Sequence, residues 1–247
     1  MNPLVFFKKY LFLIFISLYS FAQAQTQFGL RLAPGISFTQ ANGNQENYDP
    51  TASGGNAAFG GSLGLTVDFS LNQHLSIATG LWYTVKAANI DFNQIKQLYF
   101  DDQNGRSFII NYDNAKSRYQ LSYLQLPITI KVFTPESSSG IRFYGQGGGT
   151  LDLKTAEKAL EPDQNLLFQV SEKNNGGKSV YKNTAISLYL GVGLEKKLRS
   201  GKGLVAGLSY QRNLNNVMNS LQYLGYYGFT QYQVYPQLLA LEMGLKF

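Results

Sequence analysis

The residues equipped for chemistry are few and far apart. His74 is the only histidine and there is no cysteine, so neither a thiolate metal site nor a disulfide framework can form. A histidine acting as a base needs a nucleophile within hydrogen-bond reach and a third group to orient its ring, and nothing near His74 in the sequence completes that arrangement. His74 therefore reads as a turn residue. The run Gly145-Gln146-Gly147-Gly148-Gly149 resembles a phosphate-cradling loop, but Thr150 stands where a dinucleotide fingerprint needs its last glycine, and the Gly-Lys-Ser/Thr of a P-loop is missing. Glycines in such a run admit a bulky neighbour or bend a strand. Asp102, Asn104 and Gly105 match part of a calcium loop whose first and last positions would be Phe100 and Asn111, which disqualifies it as a tight site. No catalytic residue, metal ligand or cofactor is expected.

Two other groups say more. Arg31, Asp68, Lys131, Arg142, Glu195, Glu242 and Lys246 each lie in an alternating stretch, on the face opposite its apolar residues. Tyr223, Tyr226, Tyr227, Phe229, Tyr232 and Tyr235 crowd into NSLQYLGYYGFTQYQVY. Aromatic rings make large contacts at low entropic cost, so this stretch is either a sugar- or protein-contacting loop surface or an aromatic girdle at a membrane interface.

What could position those residues is a set of strands with a period of two. QFGLRLAPGISF opposes Phe28, Leu30, Leu32, Ile36 and Phe38 to Gly29, Arg31, Ala33 and Ser37; GSLGLTVDF opposes Leu63, Leu65, Val67 and Phe69 to a face holding Asp68. HLSIATGLWYTVK follows the rule with Trp82 as its exception, and YLQLPITIKV sets Leu124, Leu126, Ile128, Ile130 and Val132 against Gln125, Pro127, Thr129 and Lys131. GIRFYGQGGGTLDL is weaker, with Arg142, Tyr144, Gln146 and Asp152 on its polar face. AISLYLGVGLEKK, GLVAGLSYQ and QLLALEMGLKF complete a set of eight, the last alternating through Leu239, Leu241, Met243, Leu245 and Phe247. Each is about the 9–11 residues that a tilted strand needs to cross a bilayer.

The connections choose the architecture. Between strands two and three lies only SLNQ, between four and five TPESSSG, and between six and seven roughly LRSGK, whereas the connections near 39–58, 88–118, 154–184 and 212–236 are long. Strict alternation of short and long is the habit of an up-and-down membrane barrel, with short periplasmic turns and long outer loops, and a Greek-key sandwich has no reason for it. Two long connections have patterns of their own. QLYFDDQNGRSFIINYD reads as a hairpin turning at Asp102–Gly105, and LLFQVSEKNNGGKSVY as a second turning at Asn174–Gly177. Counted as spanning strands they would raise the total to ten or twelve; read as hairpins above the membrane they leave eight.

Residues 1–24 have the pattern of a cleaved signal peptide: Lys8 and Lys9, then the apolar run Leu11–Phe21, then Ala22-Gln23-Ala24. That leaves 25–247 as one barrel domain. The leader holds two lysines and no acid, so without it the net charge falls from +6 to +4, with no block of like charge that would mark nucleic-acid binding. An eight-stranded barrel has an interior that side chains can just fill. Four cations and three anions sharing the periplasmic half of that interior are expected to pair and plug it, unless they reach out into periplasmic water at the strand ends.

YLQLPITIK, Tyr123 to Lys131, resembles the PorT-type outer-membrane β-barrel family, whose members carry Tyr-Leu-x-hydrophobic-Pro followed by an apolar run and a lysine. The resemblance extends to HLSIATGLWY, to LSYQRNLNNV and to the terminal aromatic; Arg212–Asn216 departs from the family pattern in lacking a glycine. It implies an integral outer-membrane barrel of the Gram-negative envelope, and no single activity, the name-giving member being linked to a secretion system. Leu241, Met243, Leu245 and Phe247 also resemble the terminal signal read by the barrel insertion machinery. The expected partners are outer-membrane lipid, that machinery and an extracellular or periplasmic protein. The expected role is structural or interaction-based, with a small porin or transporter as the alternative.

Overall fold

A computed structural model describes residues 25–42, 51–93, 98–101, 107–110, 115–174, 177, 179–198, 200–219 and 232–247. Eight long strands form the wall: β1 (Gln25–Asn42), β3 (Ala58–Ser70), β4 (Leu75–Asn93), β7 (Lys116–Phe133), β8 (Ile141–Ala159), β9 (Thr184–Lys197), β10 (Gly203–Asn213) and β11 (Gln233–Lys246). Each pairs antiparallel with the next in that order, and β11 pairs with β1 from Gly29↔Lys246 to Asn42↔Gln233, which closes the sheet into a barrel. Closure leaves no wall strand with an open edge. The short β2 (Thr51–Gly54) adds to the far end of β4. Among the described residues no helix is long and apolar enough to cross a membrane.

The period of two gives the wall two faces. In the half of the wall nearer the short turns, Ile128 is 71 % and Leu241 61 % exposed outward, while Arg31, Asp68 and Lys131 are buried inside. That is the polarity of a wall whose outer solvent is lipid. β4 and β8 have 19 residues each, about 60 Å of chain at about 3.3 Å per residue, more than a tilted strand needs to cross an apolar band about 25 Å tall.

The extra length stands beyond the band, and there the faces exchange character. On β4 the inward set passes from Thr84 and Lys86 to Ala88, Ile90 and Phe92; on β7 it passes from Lys131, Thr129 and Gln125 to Tyr123, Leu121 and Tyr119. Gln120 and Lys116 meanwhile face water. The apolar inward residues pack with Leu166, Leu167, Val180, Tyr181, Val217, Met218, Tyr232 and Val234 into one core under the long connections. This corrects the sequence reading of those connections, since residues 88–93, 116–118 and 154–159 belong to strands.

The first expected hairpin is present as β5 (Leu98–Asp101) paired with β6 (Ser107–Ile110), in a separate two-stranded sheet, and its turn lies outside the described residues. The second is not a hairpin. Leu166–Asn174 is a helix, α1, because its exposed amides find caps that its own pattern does not reveal. The Asn165 side-chain oxygen accepts from the Phe168 amide at 3.1 Å, and Ser117 Oγ, from β7, accepts from the Leu167 amide at 3.0 Å.

Candidate functional site in the barrel interior

The inward side chains form layers. Nearest the short turns, five charged groups make one alternating chain: Lys131 to Asp68 at 3.4 Å, Asp68 to Lys246 at 2.5 Å, Lys246 to Glu195 at 2.6 Å and Glu195 to Arg142 at 3.0 Å. They come from β7, β3, β11, β9 and β8, so the chain ties five strands together. Aromatic faces flank it, with Arg142 3.8 Å from the centroid of Phe133 and Lys131 5.0 Å from that of Tyr144.

One layer higher, Arg31 donates from Nε to Glu242 Oε1 at 3.0 Å, from Nη1 to Ser62 Oγ at 2.7 Å and from Nη2 to Ser209 Oγ at 3.3 Å. Its guanidinium lies 4.1 Å from the Trp82 ring centroid, and Tyr189 Oη donates to Glu242 Oε2 at 2.6 Å. Trp82, the exception in its strand, is thus the stacking partner of the buried arginine. Gly64 makes room for it, since a Cβ there would come within 2.7 Å of Trp82 Cδ1 and 2.3 Å of the Leu81 carbonyl.

The third layer centres on Lys86 and Asp152, whose side chains are both 0 % exposed. Lys86 Nζ lies 3.3 Å from Asp152 Oδ2 and also donates to Ser187 Oγ and Asn213 Oδ1, each at 3.1 Å. Asp152 further accepts from Gln125 at 2.8 Å, Thr150 at 2.5 Å and Ser187 at 2.6 Å. Above this layer lies the apolar core, where Phe92 and Tyr232 meet edge to face at 5.1 Å. Burial pushes the phenol of Tyr181, in that core, well above its ordinary range, and Tyr119 and Glu157 add to the effect.

All seven charged residues singled out in the sequence lie inside, and each has an ion-pair partner among the other six. The pairing of Lys86 with Asp152 is not legible in the sequence: Asp152 stands on a polar face and Lys86 closes the HLSIATGLWYTVK stretch, but no spacing announces that β4 and β8 meet across the lumen. Leu241, Met243 and Phe247 face outward, and the Phe247 backbone exchanges hydrogen bonds with Phe28 at 2.9 and 3.2 Å. Of the expected aromatic loop surface, Tyr223, Tyr226, Tyr227 and Phe229 lie outside the described residues. Tyr232 does not belong to a surface: it is 4 % exposed because it fills the core beside Phe92.

His74 sits in the first short turn, its amide donating to Asn72 Oδ1 at 2.8 Å and its Nδ1 3.2 Å from the Phe133 carbonyl. The glycine run is part of β8, where a Cβ on Gly148 would come within 2.2 Å of the Ile128 carbonyl. Among the described residues no group of three His, Asp or Glu side chains is placed to hold a metal ion. A mouth cavity of about 780 Å³ opens at the short-turn end, with Arg142, Glu195, Lys246, Lys197, Lys202 and His74 among its lining residues.

Comparison with solved structures returns outer membrane barrels. The outer membrane protein OprG from Pseudomonas aeruginosa is 12 % identical, with 91 % of this chain and 97 % of that one covered at a TM-score of 0.49. Neisserial surface protein A is 14 % identical over 89 % and 97 %, at a TM-score of 0.40, and AlkL in lipid bilayers is 12 % identical over 91 % and 90 %, at 0.43. No curated protein matches the chain. The family described as outer membrane protein beta-barrel domain matches residues 21–219. With a closed eight-stranded wall, an apolar outer belt and that match over most of its length, the chain belongs to the outer membrane protein beta-barrel domain family.

Proposed function

We propose that this outer membrane barrel does not conduct and has a structural or interaction role in a Gram-negative envelope, meeting its partners through the long outer loops or the periplasmic rim. The observation that carries this reading is the stack of three polar layers under one apolar core, in which Arg31, Lys86, Lys131 and the acids facing them are buried across the lumen. Charges so placed are paired instead of hydrated, and eight strands enclose an interior that side chains can just fill. Residues 1–24 would be its signal peptide, and the PorT-type subfamily, with its secretion link, would be its setting. The chain is proposed to have no enzymatic activity, since His74 is tied into a turn by Asn72 and the Phe133 carbonyl and has no orienting carboxylate among its hydrogen-bond contacts.

Planar-bilayer recording of the purified mature chain, with unboiled and boiled gel samples as the folding control, tests the reading. The expected result is a heat-sensitive folded band and no steady current. Steady current from the folded band would replace the closed barrel with the small porin or transporter.

A further inference from the structure

We propose that the mouth cavity at the short-turn end binds an acidic peptide segment, with Arg142 as the anchor and Lys197 and Lys202 as its rim. Short turns face the periplasm in outer membrane barrels, so the ligand is periplasmic. At about 780 Å³ the cavity lies within the size range of specific ligand sites, about 300–1,000 Å³.

The charge arithmetic of the cavity floor points to an anion. The chain Lys131–Asp68–Lys246–Glu195–Arg142 begins and ends on a cation, so three positive charges face two negative ones. The Lys131 end is buried, 6 % exposed over its side chain, whereas the Arg142 end is 22 % exposed and lines the cavity. The unbalanced charge is therefore presented at Arg142. One of its N–H groups donates to Glu195 at 3.0 Å, and its plane is set 3.8 Å from the Phe133 centroid. A guanidinium has five donors in a rigid fork, so a held fork with donors to spare can take the two oxygens of a carboxylate side by side. Lys197 and Lys202, both exposed, line the same cavity, so that among its lining side chains Arg142, Lys197, Lys202 and Lys246 stand against the acids Glu136 and Glu195.

The size of the cavity argues for a peptide over a free anion. A single anion would occupy a small part of it. Its walls carry the amides of Gln27 and Gln73 and the hydroxyl of Ser70, which supply donors and acceptors of the kind a peptide backbone uses. The inference rests on the interaction reading above and names the chemistry of one partner.

The probe is fluorescein-labelled hexaglutamate, added to the mature barrel in lipid nanodiscs and followed by anisotropy at low and high salt. Expected are salt-sensitive binding of hexaglutamate, none of hexalysine, and affinity weakened at least about tenfold in the triple variant R142Q/K197Q/K202Q. Lys158→Gln, exposed on β8 at the opposite end, leaves binding unchanged. Absent binding, or equal binding by the triple variant, overturns the proposal. Displacement by inorganic phosphate at equal concentration also overturns it, reducing the cavity to a simple anion site. If Arg142→Gln prevents folding, K197Q/K202Q carries the test, with weaker binding and a smaller salt effect expected and unchanged binding overturning the assignment. Current recorded from the same preparation separates the two failures: current removes the closed barrel, whereas silence without peptide binding removes only this site.

Discussion

Asp152→Asn tests the idea that the upper polar layer is dry. Asp152 receives Lys86, Gln125, Thr150 and Ser187, and no part of either charged side chain is exposed. At 3.3 Å and an effective dielectric of about 20, the Lys86–Asp152 attraction is about 5 kcal/mol. Removing one member of a buried pair costs about 3–5 kcal/mol, because the other charge stays buried. Asparagine keeps the volume and one acceptor, so no cavity contributes, and Lys86 retains only Ser187 and Asn213. The expected loss is about 3–5 kcal/mol of unfolding free energy, measured by urea unfolding in vesicles with the unboiled gel band as the folded fraction. Replacing both partners, Lys86→Met with Asp152→Leu, is expected to recover most of it, since apolar substitutes for a whole buried pair are near neutral. A single-variant cost under about 1 kcal/mol would refute the reasoning, because it would mean that water reaches Lys86 and screens the missing charge. A double variant as unstable as the single would assign the effect to the hydrogen-bond net and not to the charges.

Three further outcomes are expected. Leu241→Arg places a charge on the lipid face, where Leu241 is 61 % exposed, and should cost about 2–4 kcal/mol in the same assay. Asn165→Ala removes the cap of α1 and should cost about 1 kcal/mol, appearing as faster hydrogen exchange over Leu166–Asn174 with the barrel wall unaffected. Tyr181 has a phenol pKa raised by burial, so the folded state holds it neutral when the unfolded chain would ionise it. Its contribution is complete below about pH 10 and declines as pH rises beyond that value. Protease access to the core beneath the long connections should therefore rise in alkali, and Tyr181→Phe should lessen the rise.

The sequence made the lower barrel legible because the outward positions there keep a period of two, with Trp82 the inward exception. Phe28, Leu30 and Leu32 face lipid while Arg31 faces the lumen, and the short turns SLNQ and TPESSSG mark the register. It hid the upper barrel because the apolar set changes face within one strand. Ile90 and Phe92 are inward like Lys86, whereas Leu81 and Tyr83 are outward, so the pattern breaks at the height of the lipid boundary though the strand does not. The solvent outside the wall changes there from lipid to water, and the side chains follow the solvent. α1 was hidden for another reason, since one of its caps, Ser117, comes from β7, about 50 residues away. The lumen charges could be named because each stands on a polar face. Their partners depend on which strands meet across the interior, and only closure decides that.

That closure gives the buried charges a role that stability alone does not supply. Lipid outside the lower wall is as apolar as the leucines facing it, so the hydrophobic effect says little about which residue of one strand pairs with which of the next. Arg31 on β1 reaches Ser62 on β3, Ser209 on β10 and Glu242 on β11 at once. Slipping β1 by one residue would turn Arg31 onto the lipid face and strand Glu242 inside. The first change alone costs about 2–4 kcal/mol near the midplane, and the second leaves a buried acid that only Tyr189 serves. An error in register is therefore penalised on both faces of the wall. By this argument the Arg31 layer fixes which barrel forms, even where replacing the whole layer with apolar residues would leave it no less stable.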